Sequence, residues 1–205
     1  MTNTTQKISP RVYIALANTI SKDASRYYLH GIHLCEGEGR ATIAVSTDGH
    51  VLSAYTMADI PFELGADAIA KVTPDALRAA KAMLKSSAKT DIELSENGDM
   101  RFGDVTYHNM LIDAAFPNWR RVVPDTINPT DAAPVNIDAD KIAQFAKVSK
   151  ALGEPTPAIS MLANSKNDPI GVKLSDPQYI GVLMPYKVDE WTWNGAPSAP
   201  VDNAA

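Results

Sequence analysis

Apolar and polar positions fall into one short pattern three times along the chain. Over residues 10–22, Val12, Leu16 and Ile20 recur every four residues behind Pro10, which predicts a helix with proline in its first turn. Residues 27–34, 41–46 and 51–57 read as strands, divided by Gly37 and Gly39 and then by the tight turn Thr47-Asp48-Gly49-His50. The polar stretch 1–9 reads as loose. The pattern returns with a strand at 68–73, a helix at 74–86 capped by Thr73 and strands at 91–95, 100–102 and 105–112, with Asn97-Gly98 as a hairpin signal. Residues 116–124 are irregular. The third round has a strand at 135–137 and a helix from Asp138 to about Leu152, with Ile142, Phe145, Ser149 and Leu152 on one face. Strands at 159–163, 170–174 and 179–185 follow. From about Gly195 the chain is rich in proline, alanine and asparagine and reads as disordered.

The repeating unit is thus one helix with three short antiparallel strands, at a period of about 60 residues. No clear identity links the copies, so the repeat is one of structure. The fold class is α+β. One unit buries only one sheet face, and two packed together make a domain with helices on one side and sheets on the other. Three units leave an odd one, which points to assembly.

The 205 residues suffice for one large domain or two small ones, and 45% hydrophobic with 21% charged residues is ordinary globular usage. No apolar run reaches the ~18–20 residues of a membrane span, and MTNTTQKISP has no secretory h-region. The single cysteine, Cys35, excludes an intramolecular disulfide and fits a reducing, cytoplasmic compartment. The net charge of −5 argues by itself against a nucleic-acid partner, but its distribution matters more. Arg78, Lys81 and Lys85 form one stripe on the second helix, away from Leu77, Ala80 and Leu84. Lys147 and Lys150 lie opposite the apolar face of the third, and Arg11 and Lys22 flank the first. These are either solvated helix faces or, if the helices share a channel, a surface that attracts phosphates without reading sequence.

Asp48 and His50 suggest part of a catalytic relay, but no nucleophile elbow accompanies them, and Asp48-Gly49 suits a turn. His30, His33, His50 and His108 are the histidines. The first two are three apart on a predicted strand and so face opposite sides, which argues against a shared metal. Phosphate-loop and dinucleotide motifs are missing, and no enzyme activity, cofactor or metal is expected. Trp191 and Trp193 either pack back on the body or contact a partner.

Arg26-Tyr27-Tyr28-Leu29-His30-Gly31, followed by Thr47-Asp48-Gly49-His50-Val51-Leu52, resembles the central domain of the bacterial DNA polymerase III beta subunit, the sliding clamp. Residues 116–124, Phe-Pro-Asn-Trp-Arg-Arg-Val-Val-Pro, resemble that family's link to its last domain, and Val182-Leu183-Met184-Pro185-Tyr186-Lys187 its closing strand. The resemblance covers about residues 10–188. It implies a DNA-clamp fold: a ring with helices lining the hole and antiparallel sheets outside. Such a ring encircles duplex DNA, without reading its sequence, and tethers a polymerase for processive replication. The implied division is a clamp domain at 1–124, the second half of a last domain at 125–188 and a disordered tail at 189–205.

In that family two chains of three two-unit domains close a ring. This sequence shows three units, so a ring of twelve takes four chains. A trimer would serve if the last region filled a whole domain's place. The resemblance also implies a pocket for short peptides of the polymerase and clamp loader, made here by Thr47, Gly49, His50, Leu52, Pro124, Val182, Met184 and Pro185. Val51 replaces the family's usual arginine and Tyr186-Lys187 its Met-Arg, so the peptide preference should differ. Residues 22–28 resemble a loop that touches DNA, which adds Arg26 and Tyr27 to Lys22, although Arg26 could serve a structural ion pair instead. The expected protein is a compact clamp of the kind a phage or plasmid would carry. The alternative is a clamp-like decoy that captures clamp partners or a host clamp without encircling DNA.

Overall fold

The computed structural model describes residues 4–86, 90–124, 136–165 and 167–186. The first unit comprises β1 (Thr5–Ile8), α1 (Pro10–Leu16), β2 (Gly31–Glu36), β3 (Ala41–Thr47) and β4 (Val51–Pro61). The second comprises β5 (Ala68–Lys71), α2 (Pro74–Lys85), β6 (Ile92–Ser95), β7 (Met100–Phe102) and β8 (Val105–Tyr107). The third has α3 (Ala139–Leu152), β9 (Ser160–Leu162), β10 (Ile170–Lys173) and β11 (Tyr179–Leu183).

The first two units exchange their leading strands. β1 pairs with β6, placing Ile8 opposite Ile92, while β5 pairs with β2, placing Ala70 opposite Ile32. One sheet therefore runs β1-β6-β7-β8. The other continues from the first unit into the third, because β4 pairs antiparallel with β11, with the order β5-β2-β3-β4-β11-β10-β9.

Alternation along the strands gives the larger sheet two apolar faces. Ile32, Leu34 and Ala44 pack with Val12, Tyr13 and Leu16 of α1 and Ala76 and Ala80 of α2, in a core shared with Ile92, Leu94, Met100 and Phe102 of the smaller sheet. Phe145 and Val148 of α3 pack on Ile170, Val172, Tyr179 and Leu183. The opposite face, with Cys35, Val45, Leu52, Ala54 and Val182, is covered by Trp119 and partly buried Phe116, Val122 and Val123. The helices thus take one side of the sheet and an irregular strip the other.

Several expected elements differ. The stretch expected to be loose holds β1, whose Gln6 is wholly buried. The first helix ends at Leu16 and not near Lys22: the Asn18 amide donates to the carbonyls of Ile14 (2.9 Å) and Ala15 (3.0 Å), and Ser46 Oγ to that of Leu16 (2.8 Å). These side chains take carbonyls that a further turn would use. Ala24–Leu29 is a 3-10 helix capped by Asp23, so β2 starts only at Gly31. The strand expected at 105–112 stops at Tyr107, and the chain turns at Asn109 (φ 57°) to lie along β5. Asn136 and Ile137 form no strand; Val135 with the rest of 125–135, and the tail with Trp191 and Trp193, lie outside the described residues.

Candidate partner cleft and nucleic-acid face

The turn between β3 and β4 is built by its own side chains. Asp48 Oδ1 accepts from the backbone N–H groups of His50 and Val51, both at 2.8 Å. Thr47 Oγ1 donates to Val51 O (2.7 Å) and accepts from Gly49 N–H (3.0 Å). Gly49 has φ +93°, and the Arg26 guanidinium lies where its Cβ would stand. A side chain at this position would be both strained and obstructed. On the other side, His50 O accepts from Met184 N–H at 2.8 Å, tying the turn to the stretch after β11.

Beside this turn, on the face away from the helices, lies a cleft of about 260 Å³. Leu52 and Val182, opposite each other across β4 and β11, form its floor, with Val122 and Trp119 from the strip and Met184 beyond. Thr47, Gly49, His50, Leu52, Val182 and Met184 therefore come together as expected from the sequence. Pro124 and Pro185 do not line the cleft. Residues that the sequence reading left out are Tyr28, Leu29, Val51, Pro117, Asn118, Trp119 and Val122, together with Arg26, which was assigned to DNA. The irregular stretch 116–124 was legible as a motif, but nothing in its pattern said that it folds over the sheet. Arg26 is held at the rim by Asp48 O (3.3 Å) and Asp23 (3.6 Å).

The second carboxylate oxygen of Asp48 reaches α3. It accepts from Lys141 Nζ at 2.6 Å and Gln144 Nε2 at 3.3 Å. Burial alone would raise this carboxyl, but Lys141, the two turn N–H groups and Gln144 outweigh it and hold it below the usual carboxylate range. Asp48 thus helps join the first unit to the third, with one carboxylate oxygen held by its own turn and the other by α3.

An open cleft of about 600 Å³ lies on the other side of this joint, lined by Lys22, Arg26, Lys141 and Lys147 and by Asp23, Asp48 and Asp140. Lys22, Lys81, Lys85, Lys147 and Lys150 are exposed, and Tyr27 is 56% exposed. Arg78 is exposed beside Asp75, its ion-pair partner. Arg11 projects from α1 across the left-handed cap Gly153 of α3 to Leu152 O (3.3 Å). The nine cationic or aromatic candidates lie on or beside three helices, with α1 packed against both α2 and α3. Such a row of cations suits sequence-independent phosphate contact.

One group among the described residues has the makings of a metal site. His33, Cys35 and Asp67 bring one ligand atom each within 4.8 Å of one another. Burial pushes the His33 imidazole down and the Cys35 thiol up, and the Arg120 guanidinium stands 3.8 Å from the sulfur. That fixed positive charge opposes a cation. His33 and Cys35 are two apart and so share a strand face, a signal that comparing His33 with His30 overlooked.

Residues 4–118 match the family model of the DNA polymerase III beta subunit, central domain. The chain belongs to that family. The curated beta sliding clamp of Caulobacter vibrioides is 33% identical over 112 residues, 51% of this chain and 29% of the relative. That of Proteus mirabilis is 32% identical over 121 residues, 58% and 32% respectively. The match thus spans about a third of the curated relatives' length. Among solved structures, the Helicobacter pylori beta clamp bound to a DNA ligase peptide superposes with a TM-score of 0.65 at 14% identity, covering 90% of this chain and 66% of that one. The Caulobacter crescentus DNA polymerase sliding clamp gives 0.59 at 21% identity, covering 91% and 66%. These likenesses establish the DNA-clamp fold over nearly the whole chain, including the third unit, which lies outside the matched central-domain region.

Proposed function

We propose that this chain is the protomer of a sliding clamp that encircles duplex DNA and tethers a polymerase or other clamp-binding proteins. The carrying observation is the division of labour between two sides of one sheet. The basic candidates other than Arg26, which lines both clefts, stand on or beside the helices, and the apolar cleft beside the Thr47–Val51 turn opens on the other side. A clamp needs that separation, because its partners must work outside the ring while DNA passes through it. The relatives are beta sliding clamps by name, and the one from Helicobacter pylori holds a DNA ligase peptide. The cleft suits a short peptide with apolar anchors, and Met184 suits several such partners. The protein performs no chemistry in this reading, with Asp48 and His50 serving the turn. Residues 4–118 supply one whole clamp domain, the third unit supplies half of the last, and the ring is a homo-oligomer.

Two measurements test the reading. Clamp loaded on nicked circular DNA should stay bound and be released when the circle is linearised. Failure of retention, with peptide binding intact, would favour the decoy that captures clamp partners, since the whole cleft lies within one chain. Met184 is 38% exposed, so Met184→Glu should leave the fold intact and weaken a fluorescent clamp-binding peptide at least tenfold. Unchanged peptide affinity would remove the cleft from the proposal.

A further inference from the structure

The first two units complete each other through their exchanged strands, and the outer side of β5 is closed as well. Lys71 N–H donates to Met110 O (2.7 Å) and Ile112 N–H to Ile69 O (2.9 Å), so the stretch after β8 runs along it. The third unit repeats half of this arrangement. Tyr186 N–H, in the stretch after β11, donates to Asn136 O at 2.7 Å, two residues before the N-cap Asp138 of α3. Among the described residues no strand lies on the other side of Asn136-Ile137 or along the outer edge of β9. All of β9 is exposed, Met161 and Leu162 at 39% each. An open strand edge of this kind is a template for another strand.

We infer that β9 pairs with the Asn136-Ile137 segment of a second copy of this chain, about a two-fold axis, so that two third units form one domain. This inference rests on the ring reading above. The register follows from the second unit. Ile92 comes seven residues after the end of α2 and faces Ile8, which directly precedes the α1 cap Ser9. Ile159 comes seven residues after the end of α3, and Ile137 directly precedes the cap Asp138. Ile137 therefore stands opposite the partner's Ile159. Both isoleucines are partly buried against the α3 core, so the pairing extends that core across the axis. Asn136 then faces the partner's Ser160 on the outward side, as Lys7 faces Glu93 in the internal pair.

The far end of the molecule presents β8, also an open edge among the described residues, with Val105 49% exposed. β8 is the last strand of its unit, and the last strands β4 and β11 already pair antiparallel. It fits β8 of another copy. Each end of the molecule joins only its own kind, third unit to third unit and β8 to β8, and a closed ring then needs an even number of chains. Three copies cannot close it; four supply the twelve units of a clamp ring.

The test is the double variant Asn136→Cys/Ser160→Cys in the full chain. Opposed antiparallel positions bring Cα atoms to ~4.5–5.5 Å, within disulfide reach, and the native Cys35 is buried. Mild oxidation should give a covalent dimer on a non-reducing gel with the double variant and with neither single variant. Light scattering of the unmodified protein should give a tetramer. If assembly and retention on circular DNA persist but no cross-linked dimer forms, or the disulfide closes within one chain, the pairing is overturned and the clamp reading stands. A trimer would also overturn it. As a second probe, Leu162→Lys should raise the concentration needed for assembly at least tenfold with an unchanged circular dichroism spectrum; unaltered assembly would refute the edge contact.

Discussion

Asp48 holds two parts of the molecule with one side chain. One carboxylate oxygen shapes the turn beside the cleft and the other pins that turn to α3. Its carboxyl is held below its ordinary value, so its contribution is complete above the unfolded value of ~3.9 and is lost as pH falls from there through the lowered folded value. Asp48→Asn should cost about 1–3 kcal/mol in urea unfolding at neutral pH and flatten the loss of stability on acidification below about pH 4. Gln6 makes a parallel case. Its amide donates to Thr42 Oγ1 (2.9 Å) and Pro61 O (3.3 Å), and its Oε1 accepts from Glu63 N–H (2.9 Å). Gln6→Leu, leaving those groups without a partner, should cost about 1–3 kcal/mol in the same measurement. The sequence marked Asp48 through its turn but hid Gln6, because a polar residue in a polar stretch reads as loop until its partners, contributed from 36 to 57 positions away, are known.

At the scale of elements, α2 and α3 were legible because periodicity and caps agree. Thr73 accepts from Ala76 N–H (3.1 Å) and Asp138 from Asp140 N–H (2.9 Å), and each helix lays apolar residues on a sheet. The first helix was overextended because Ile20 continues its period, while Asn18 and Ser46 stop it by means that periodicity does not register. The stripe Arg78, Lys81 and Lys85 gives α2 a measurable signature. Changing all three to Glu should leave folding nearly intact, since they stand on the solvent side of the helix, and should weaken binding of duplex DNA. The slope of log affinity against log salt should fall by about 2–3, near 0.9 for each phosphate no longer neutralised. An unchanged slope would take α2 away from the DNA. The pairing of β4 with β11 was not legible: strand patterns show which face is apolar but not which edge meets which.

For the whole molecule, the repeat count came from pattern alone, whereas the way the units interlock needed coordinates. Each of the first two units is missing its own outer strand and borrows the other's. Chain connectivity thus differs from spatial grouping, with Thr5 opposite Ser95 at the ends of a stretch that spans most of the first two units. In a nascent chain β2 must wait for β5 to leave the ribosome and β1 longer still, for β6, while the larger sheet is complete only once β11 has followed. Severing the chain between β4 and β5 would yield two unfinished fragments in place of two modules. The strands β2-β3-β4 can pair locally, but β1 with β6 and β4 with β11 must find distant partners, so assembly should be slow for its size and exposed to mispairing along the way.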